Sequence, residues 1–331
     1  MKRHVDDTLR RLAALDFPQN VPPRAQRPPW EHASEIIDQP RFTRRRVLVA
    51  ASLTVVAVSS SVVVANKFGP SSTPIATPPL LTIQPASGGS PFTVLTGLAD
   101  RAGKQPPPGG HGQVFYTKLR EWAFGTSVTT AMRFIDAGLA EYHQEVWLNP
   151  DGKGRILRVE QGREPAAAGG PSRIDAPFTS QPHPAVADMG KATTEELTAR
   201  LLEEGKGRTT GDWFETAAKI WTDRLDDPAT GAALLHVLAS LPDVTVEGAT
   251  TDRAGRAAIA ISTPVEKPGG WFPKQRQYLL VDPETGYLLA TESVGLSSDE
   301  DAIGGPVDTP ATIHYKVWLK SAFVTDTQTR P

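Results

Sequence analysis

The chain has 331 residues, and its 35 Lys and Arg nearly balance its 37 Asp and Glu, giving a formal net charge of −2. That balance excludes a general attraction to nucleic acid, and the lack of cysteine excludes disulfides, zinc–thiolate sites and thiol catalysis. At about 150 residues per domain the length allows two domains, and the 30 Pro and 28 Gly predict long irregular stretches.

Residues 1–46 combine ten basic with six acidic side chains, a net charge of +4. The spacing of Leu9, Leu12 and Leu15 predicts a short amphipathic helix that ends at Pro18. A helix of about ten residues is unstable alone in water. We therefore expect a cytoplasmic tail whose helix is a candidate docking site for a cytosolic regulatory partner, with a solvated tail as the alternative.

Residues 47–66 are twenty consecutive residues without a charge. As a helix they would extend about 30 Å, which is the thickness of the hydrocarbon core of a bilayer. Four arginines lie in residues 41–46, whereas Lys67 stands alone on the other side, so the positive-inside rule places the N-terminus in the cytoplasm. We expect an uncleaved signal anchor that spans the cell membrane once, with the rest of the chain outside the cytoplasm.

Two alternatives for this segment fit less well. A cleaved signal peptide has an apolar stretch of about 7–15 residues, and a buried core segment does not explain the arginines. Residues 43–48, which read TRRRVL, also resemble a twin-arginine export signal, although arginines that only orient the helix give the same pattern. Cleavage of the anchor and the export route therefore stay open.

Beyond the span, residues 67–90 are rich in Pro, Ser and Thr and predict an extended linker. The domain that follows, residues 91–325, opens with a helix at Pro91 and continues with alternating apolar residues typical of strands. Predicted strands cover residues 113–122, 140–148, 155–160, 244–247, 257–262, 277–281, 287–294 and 312–324. Residues 165–191 are rich in Ala, Gly and Pro and predict a loop.

Three helices are predicted between the two groups of strands. Thr193 or Thr194 caps the first, Asp212 caps the second, and Pro228 opens the third. Strands, then helices, then strands is the order of an α+β fold rather than of βαβ repeats. We predict one transmembrane helix followed by an extracytoplasmic antiparallel sheet, half-open and curved, packed with a central helical block.

One hairpin is predicted in more detail. Residues 282–286 read DPETG and form the turn between two strands. Gly286 stands where such a turn needs a positive φ, and alternation places Leu280 on a buried face.

The sequence offers no recognisable catalytic or metal-binding motif. None of the seven histidines has another histidine three or four residues away, so there is no helical metal pair. There is no Gly-x-Ser-x-Gly elbow and no phosphate loop, and the acidic run at residues 299–301 lacks the spacing of a calcium loop. We expect a non-enzymatic protein with no catalytic residue, no metal site and no cofactor.

Six of the seven tryptophans follow the predicted span. They either build the core of a domain that has no disulfides or line an apolar cleft for a hydrophobic ligand. Trp271 and Phe272 follow a Pro-Gly-Gly sequence in a predicted loop. Because exposed loop aromatics often make contacts, these two residues are the candidate contact surface.

Several segments together resemble a family of actinobacterial single-pass membrane proteins that has no assigned activity. They are EVWLNPDGKGR, TTEELTARLLEEG, ATGAALLHVLASLPDVTVEG, TDRAGRAAIAIS and YLLVDPETGYLLATESV. The likeness covers residues 44–67 and about 91–295. In layout this family is similar to membrane-bound partners of extracytoplasmic-function sigma factors, although this chain lacks their His and Cys zinc motif. The paired strands also resemble the sheets of periplasmic lipoprotein carriers.

Two functions are therefore expected. The first is sensing or regulation in the cell envelope through the extracytoplasmic domain. The alternative is a carrier or chaperone for a hydrophobic ligand or lipoprotein. A carrier needs a deep apolar pocket between sheet and helices, whereas a regulator has a filled core and a functional N-terminal tail.

Overall fold

A ten-stranded antiparallel sheet dominates the computed structural model, which describes residues 74–86, 88–128, 134–161, 173–180, 192–224 and 227–331. The chain divides into two units, Met1–Ala51 and Ser52–Pro331, and every described residue belongs to the second. The described strands are β1 (Gln84–Pro85), β2 (Val114–Val128), β3 (Phe134–Leu148), β4 (Lys153–Gln161), β5 (Arg173–Thr179), β6 (Thr245–Thr251), β7 (Ala257–Glu266), β8 (Lys274–Val281), β9 (Leu288–Gly295) and β10 (Ala311–Val324). The described helices are α1 (Pro91–Ala102), α2 (Thr194–Glu204), α3 (Thr210–Arg224), α4 (Pro228–Ala239) and α5 (Glu300–Ile303).

The strands are hydrogen-bonded in the order β1-β6-β7-β8-β9-β10-β2-β3-β4-β5. Two runs of consecutive antiparallel neighbours, β2 to β5 and β6 to β10, are joined by the pairing of β10 with β2. Helices α2, α3 and α4 connect the two runs along the chain. An antiparallel sheet with segregated helices is an α+β arrangement, which confirms the fold class; the half-open curvature stays a prediction.

The three central helices begin where the sequence supplies capping groups. Thr193 accepts the N–H of Glu196 at 3.2 Å and donates its own N–H to the Glu196 carboxylate at 2.9 Å, which is a capping box. Asp212, predicted to cap α3, instead makes the equivalent pair of bonds with Thr209 from inside the first turn. At α4 the cap is Asp227, whose carboxylate accepts two backbone N–H groups.

Both faces of the sheet are buried over much of its width. Helices α1 to α4 cover one face, here the helix face, onto which Leu279 and Trp318 project. The adjacent residues Leu280 and Val317 project from the second face into a separate apolar cluster, because successive side chains of a strand alternate. Leu280 is 0% exposed, as the alternation predicted.

Two segments without long helices cover the second face. Residues 74–86, which lie within the predicted linker, pack Ile75 and Leu81 onto it and pair with β6 through β1. Residues 296–310, here the crossover, connect β9 to β10 through α5. The two segments are joined because the N–H of Ile75 donates to the carbonyl of Pro306 at 2.9 Å.

The predicted turn between β8 and β9 is confirmed. Gly286 has a φ of 75°, and Asp282 accepts the N–H of Glu284 at 2.8 Å. A Cβ at Gly286 would overlap the backbone oxygen of Leu98 in α1. The glycine therefore provides both the left-handed conformation and a close approach to the helix.

Strand β5 lies within residues 165–191, which were predicted as a loop. Its sequence, RIDAPFT, contains a proline and pairs with β4 along one side. Edge strands tolerate proline and exposed charges because they need only one ladder of hydrogen bonds. That tolerance removes the alternating apolar pattern by which strands are recognised.

Contacts with the sheet continue past residue 325, where the domain was predicted to end. The indole N–H of Trp147 donates to the carbonyl of Thr329 at 2.7 Å, and Arg330 pairs with Glu145 at 2.5 Å. Trp147 is 0% exposed beneath these residues. The C-terminal residues therefore cover part of β3.

The predicted tail, residues 1–46, and the predicted span, residues 47–66, lie outside the described residues. In the part of the chain that the structure describes, no helix is both long enough and apolar enough to cross a membrane.

Candidate functional site

An apolar cleft of about 290 Å³ opens on the second face, beside strands β8 and β9. Leu80 and Leu81 line one side of it, and Val294 and Leu296 line the other. Leu80 and Leu296 are each 43% exposed. Two leucines exposed at the mouth of one cleft form an apolar patch of the kind that marks binding sites.

The segment that forms the first wall is extended because of its sequence. Residues 78–85 read PPLLTIQP, in which Pro79 and Pro85 favour an extended conformation at the residues before them. Besides the pairing of β1 with β6, Thr250 donates to the carbonyl of Thr82 at 2.8 Å, and the Thr312 hydroxyl lies 3.4 Å from the carbonyl of Pro79. The missed signal was this short apolar run inside a segment whose average composition predicts a linker.

Arg276 and Tyr278 contribute the polar groups of the cleft. The Arg276 guanidinium donates to Glu247 at 2.9 Å, and the Ser262 hydroxyl donates to the same carboxylate oxygen at 2.6 Å. Burial raises the pKa of the Tyr278 phenol, although nearby Arg276 lowers it in part. The cleft is therefore mainly apolar, and its arginine is already matched by a carboxylate.

The predicted contact residues Trp271 and Phe272 lie in the loop between β7 and β8 but differ in exposure. Phe272 is 4% exposed and packs edge-on against Phe124 with ring centroids 5.1 Å apart. Trp271 is 36% exposed, and its carbonyl accepts the N–H of Asp299 at 2.8 Å. Trp271 is therefore available for contact beside the crossover, whereas Phe272 anchors the loop.

The space between the helix face and helices α3 and α4 is filled. Its void holds about 10 Å³ and is lined by Trp221, Leu234 and Leu279 among others. A single water needs roughly 10–15 Å³. The side chains at this interface form a packed core rather than a ligand chamber.

A buried ionic cluster lies where β10 pairs with β2. The Glu121 carboxylate is 3.0 Å from the His314 imidazole and 3.8 Å from the Lys316 ammonium. Burial alone would raise the pKa of Glu121, but Lys316, His314 and Arg158 together lower it to about 2. A carboxylate with that pKa is a weak base near neutral pH, so the geometry is that of a structural ion pair.

A second buried pair fixes the turn between β6 and β7. Arg253 from this turn lies 2.5 Å from Glu292 on β9, whose side chain is 1% exposed. Thr312 donates to the same carboxylate at 3.2 Å, and Arg120 on β2 donates to the carbonyl of Arg253. These contacts hold the turn against strands that are not its neighbours in the sheet.

Within the described residues, no group of three or more His, Cys, Asp or Glu side chains is arranged to hold a metal ion.

No protein-family model and no curated protein matches the chain. Among solved structures, it is similar to MucB in complex with MucA(peri), with 12% identity and a TM-score of 0.26, covering 72% of this chain and 57% of that one. MucB alone gives 13% identity and a TM-score of 0.28, covering 74% and 61%. A putative outer membrane lipoprotein-sorting protein domain from Vibrio parahaemolyticus gives 7% identity and a TM-score of 0.19, covering 71% and 93%. The chain thus spans less than two thirds of the length of the two MucB chains.

Proposed function

We propose that the chain is a single-pass protein of the cell membrane whose extracytoplasmic α+β domain senses or regulates the state of the envelope without catalysis. The observation that carries this proposal is the apolar cleft, whose first lining residue follows the predicted anchor closely in the chain. The predicted span ends at residue 66 and the cleft begins at Leu80. Those fourteen residues extend at most about 50 Å, so a bound partner contacts the segment that leads to the membrane.

A carrier for a hydrophobic ligand or lipoprotein is the second candidate, and the apolar lining of the cleft favours it. Pockets for small ligands usually enclose about 300–1,000 Å³ and bury most of the ligand. The cleft, at about 290 Å³, is at the lower limit and its leucines are exposed. The filled interface between sheet and helices also favours the regulator over the carrier.

On this proposal, the N-terminal tail, residues 1–46, contacts a cytosolic regulatory partner, and the chain belongs with the actinobacterial single-pass proteins that it resembles. The domain outside the membrane carries the contact surface, which includes Trp271 and the two cleft leucines. The tail then reports binding on the other side of the membrane.

The proposal is tested by photocrosslinking in the native membrane with the full-length chain. A benzophenone amino acid at Leu296 should form a protein adduct, and one at Leu9 should capture a cytosolic protein. Ile174, which is 40% exposed on the edge strand β5, is the control position and should give no specific adduct. Lipid adducts at Leu296 without protein adducts would favour the carrier, and no adduct at Leu296 or Leu9 would refute the regulator.

The topology is tested separately with a reporter that is active only in the cytoplasm. It should work when fused before Arg41 and fail when fused after Gly89. Replacing Arg44, Arg45 and Arg46 with Gln should weaken the orientation bias, because these charges dominate the flank. The opposite reporter pattern would overturn the orientation, and an unchanged triple variant would refute its cause.

A further inference from the structure

We infer that the apolar cleft binds an extended segment of a partner protein that combines large apolar side chains with lysine or arginine. The inference rests on the proposed function and names the chemistry of the partner. It rests on three features: the apolar walls of the cleft, an acidic rim of exposed carboxylates on the crossover, and backbone N–H groups of residues 80–83 that donate to no described residue.

The acidic rim consists of Glu300, Asp301 and Asp308 on the crossover. All three side chains are exposed, and none forms an ion pair with another described residue. The same crossover contributes Leu296 and Pro310 to the lining of the cleft. In the chain, Glu300 and Asp301 stand within five residues of Leu296, and Asp308 stands two residues from Pro310.

The basic residues nearby do not cancel this charge. Arg276 is matched by Glu247 at 2.9 Å, so that pair is neutral. Lys274 is exposed beside the cleft, and its carbonyl accepts the N–H of Leu296 at 2.8 Å. Three carboxylates against one ammonium leave a negative surface, which attracts a basic partner and disfavours an acidic peptide or an anionic lipid headgroup.

The backbone of residues 80–83 favours an extended partner. This stretch is not helical, and within the described residues none of its N–H groups donates a hydrogen bond. An extended peptide can pair with such an edge, as in β-strand addition. Alternate side chains of the peptide would then enter the cleft, while those between them stay outside it, where lysine or arginine is exposed to the field of the carboxylates.

Trp271 adds an exposed aromatic ring to the surface that would recognise basic side chains. Its indole is 36% exposed, and its carbonyl accepts the N–H of Asp299, which begins the acidic part of the crossover. Asp299 itself caps α5 by accepting the N–H of Ala302 at 3.0 Å. A lysine or arginine held near this position gains a cation–π contact in addition to the carboxylates.

The test measures peptide binding to the full-length chain in nanodiscs of uncharged phosphatidylcholine. The probe is a short fluorescent peptide that alternates leucine and lysine, followed by fluorescence anisotropy. Two matched peptides replace lysine with glutamate or leucine with serine. We expect the leucine–lysine peptide to bind at least about tenfold more tightly than either control, since each control lacks one half of the recognition.

Variants of the protein separate charge from apolar contact. The triple variant Glu300→Gln, Asp301→Asn and Asp308→Asn should weaken binding about tenfold and reduce its salt dependence, because three exposed charge pairs are lost. Leu296→Ser should abolish binding of the leucine–lysine peptide. Binding of the leucine–glutamate peptide at equal affinity would overturn the inference.

The matched control removes the same formal charge elsewhere. Glu195, Glu204 and Glu284 are exposed and lie away from the crossover, and the triple variant with Gln at these positions should bind normally. If both triple variants weakened peptide binding equally, the effect would come from the overall charge of the protein, and recognition by the rim carboxylates would be refuted. If the chain bound anionic vesicles or self-associated in a way that depends on Leu296, the inference would be overturned. The occupant of the cleft would then be a lipid or a second copy of the chain, and not a peptide.

Failure of this inference differs from failure of the proposed function. Suppose that Leu296 forms a protein adduct in the native membrane but the leucine–lysine peptide does not bind. The regulatory role would then stand, and the inference that the partner segment is basic and apolar would be refuted. Peptide binding without any native adduct at Leu296 or Leu9 would keep the recognition chemistry and refute the regulatory role.

Discussion

A single methyl group at Gly286 tests whether the turn between β8 and β9 is fixed against helix α1. The φ of Gly286 is 75°, and an added Cβ would overlap the carbonyl oxygen of Leu98 and lie 2.9 Å from the backbone nitrogen of Ala102. Gly255, in the turn between β6 and β7, has a φ of 84° and nothing within 4 Å of such a Cβ. Gly255→Ala is therefore the matched control, because it has the same backbone strain without the collision.

The two variants should differ in stability for a calculable reason. A non-glycine residue in the left-handed region costs about 1–2 kcal/mol, and alanine restores about 0.4–1 kcal/mol by restricting the unfolded chain. Gly255→Ala should thus lower the free energy of unfolding by about 1 kcal/mol. Gly286→Ala adds an overpacking cost of about 1–3 kcal/mol because α1 must move, for a total of about 2–4 kcal/mol.

The measurement is urea unfolding of the purified full-length variants, followed by tryptophan fluorescence. The signal combines all seven tryptophans, and one of them, Trp221, has its ring 5.6 Å from that of Tyr287, the residue after Gly286. Equal destabilisation by Gly286→Ala and Gly255→Ala would show that the turn is free to move away from α1. The close approach of Gly286 to α1 would then make no contribution to the free energy of unfolding.

Three further predictions concern the core and the buried ion pairs. Leu280→Ala should lower stability by about 2–5 kcal/mol through lost transfer energy and a cavity, whereas Leu319→Ala, at a site 37% exposed, should change the melting temperature little. Arg253→Met should cost about 3–5 kcal/mol because Glu292 is left buried without its partner, and the added change Glu292→Met should restore most of that loss in urea unfolding. Glu121 has a pKa of about 2 in the folded chain against 4.5 as its ordinary value, so it stabilises the fold above pH 4.5, and this contribution disappears as the pH falls towards 2. Glu121→Gln should therefore make the stability less dependent on pH in that window, and an unchanged slope would contradict the assignment.

Local chemistry explains which parts of the fold could be predicted from the sequence. The capping box of Thr193 and Glu196 and the positive φ of Gly286 depend on groups within a few residues of each other. Such patterns are readable because the partner is adjacent in the chain. The same holds for the alternation that buries Leu280.

Non-local pairing explains most of what could not be predicted. The pairing of β10 with β2, for example of Tyr315 with Trp122, joins residues from opposite ends of the domain. No local pattern specifies that contact, so the sequence predicts an antiparallel sheet but not that β10 pairs with β2 within it. Trp271 and Phe272 give a smaller example, because both rings pack against the distant Phe124 and yet only Phe272 is buried.

The cleft could not be predicted because three separated segments form it. Residues 80–83 supply one wall, β8 supplies Arg276 and Tyr278, and the crossover supplies the rim with Leu296. In the sequence, the first of these is four residues within a segment that is rich in Pro, Ser and Thr. Averaged composition therefore conceals the residues that make the linker part of the domain.

The attachment of residues 74–86 suggests how binding outside the membrane would reach the predicted anchor. The segment pairs with the sheet through the two residues of β1, and hydrogen bonds at Ile75, Pro79, Thr82 and Ala86 also hold it. A partner that fills the cleft against Leu80 adds contacts to this segment, so on the proposed function binding stabilises residues that precede the domain on the side of the predicted anchor. A carrier that only stores its ligand has no need for that connection.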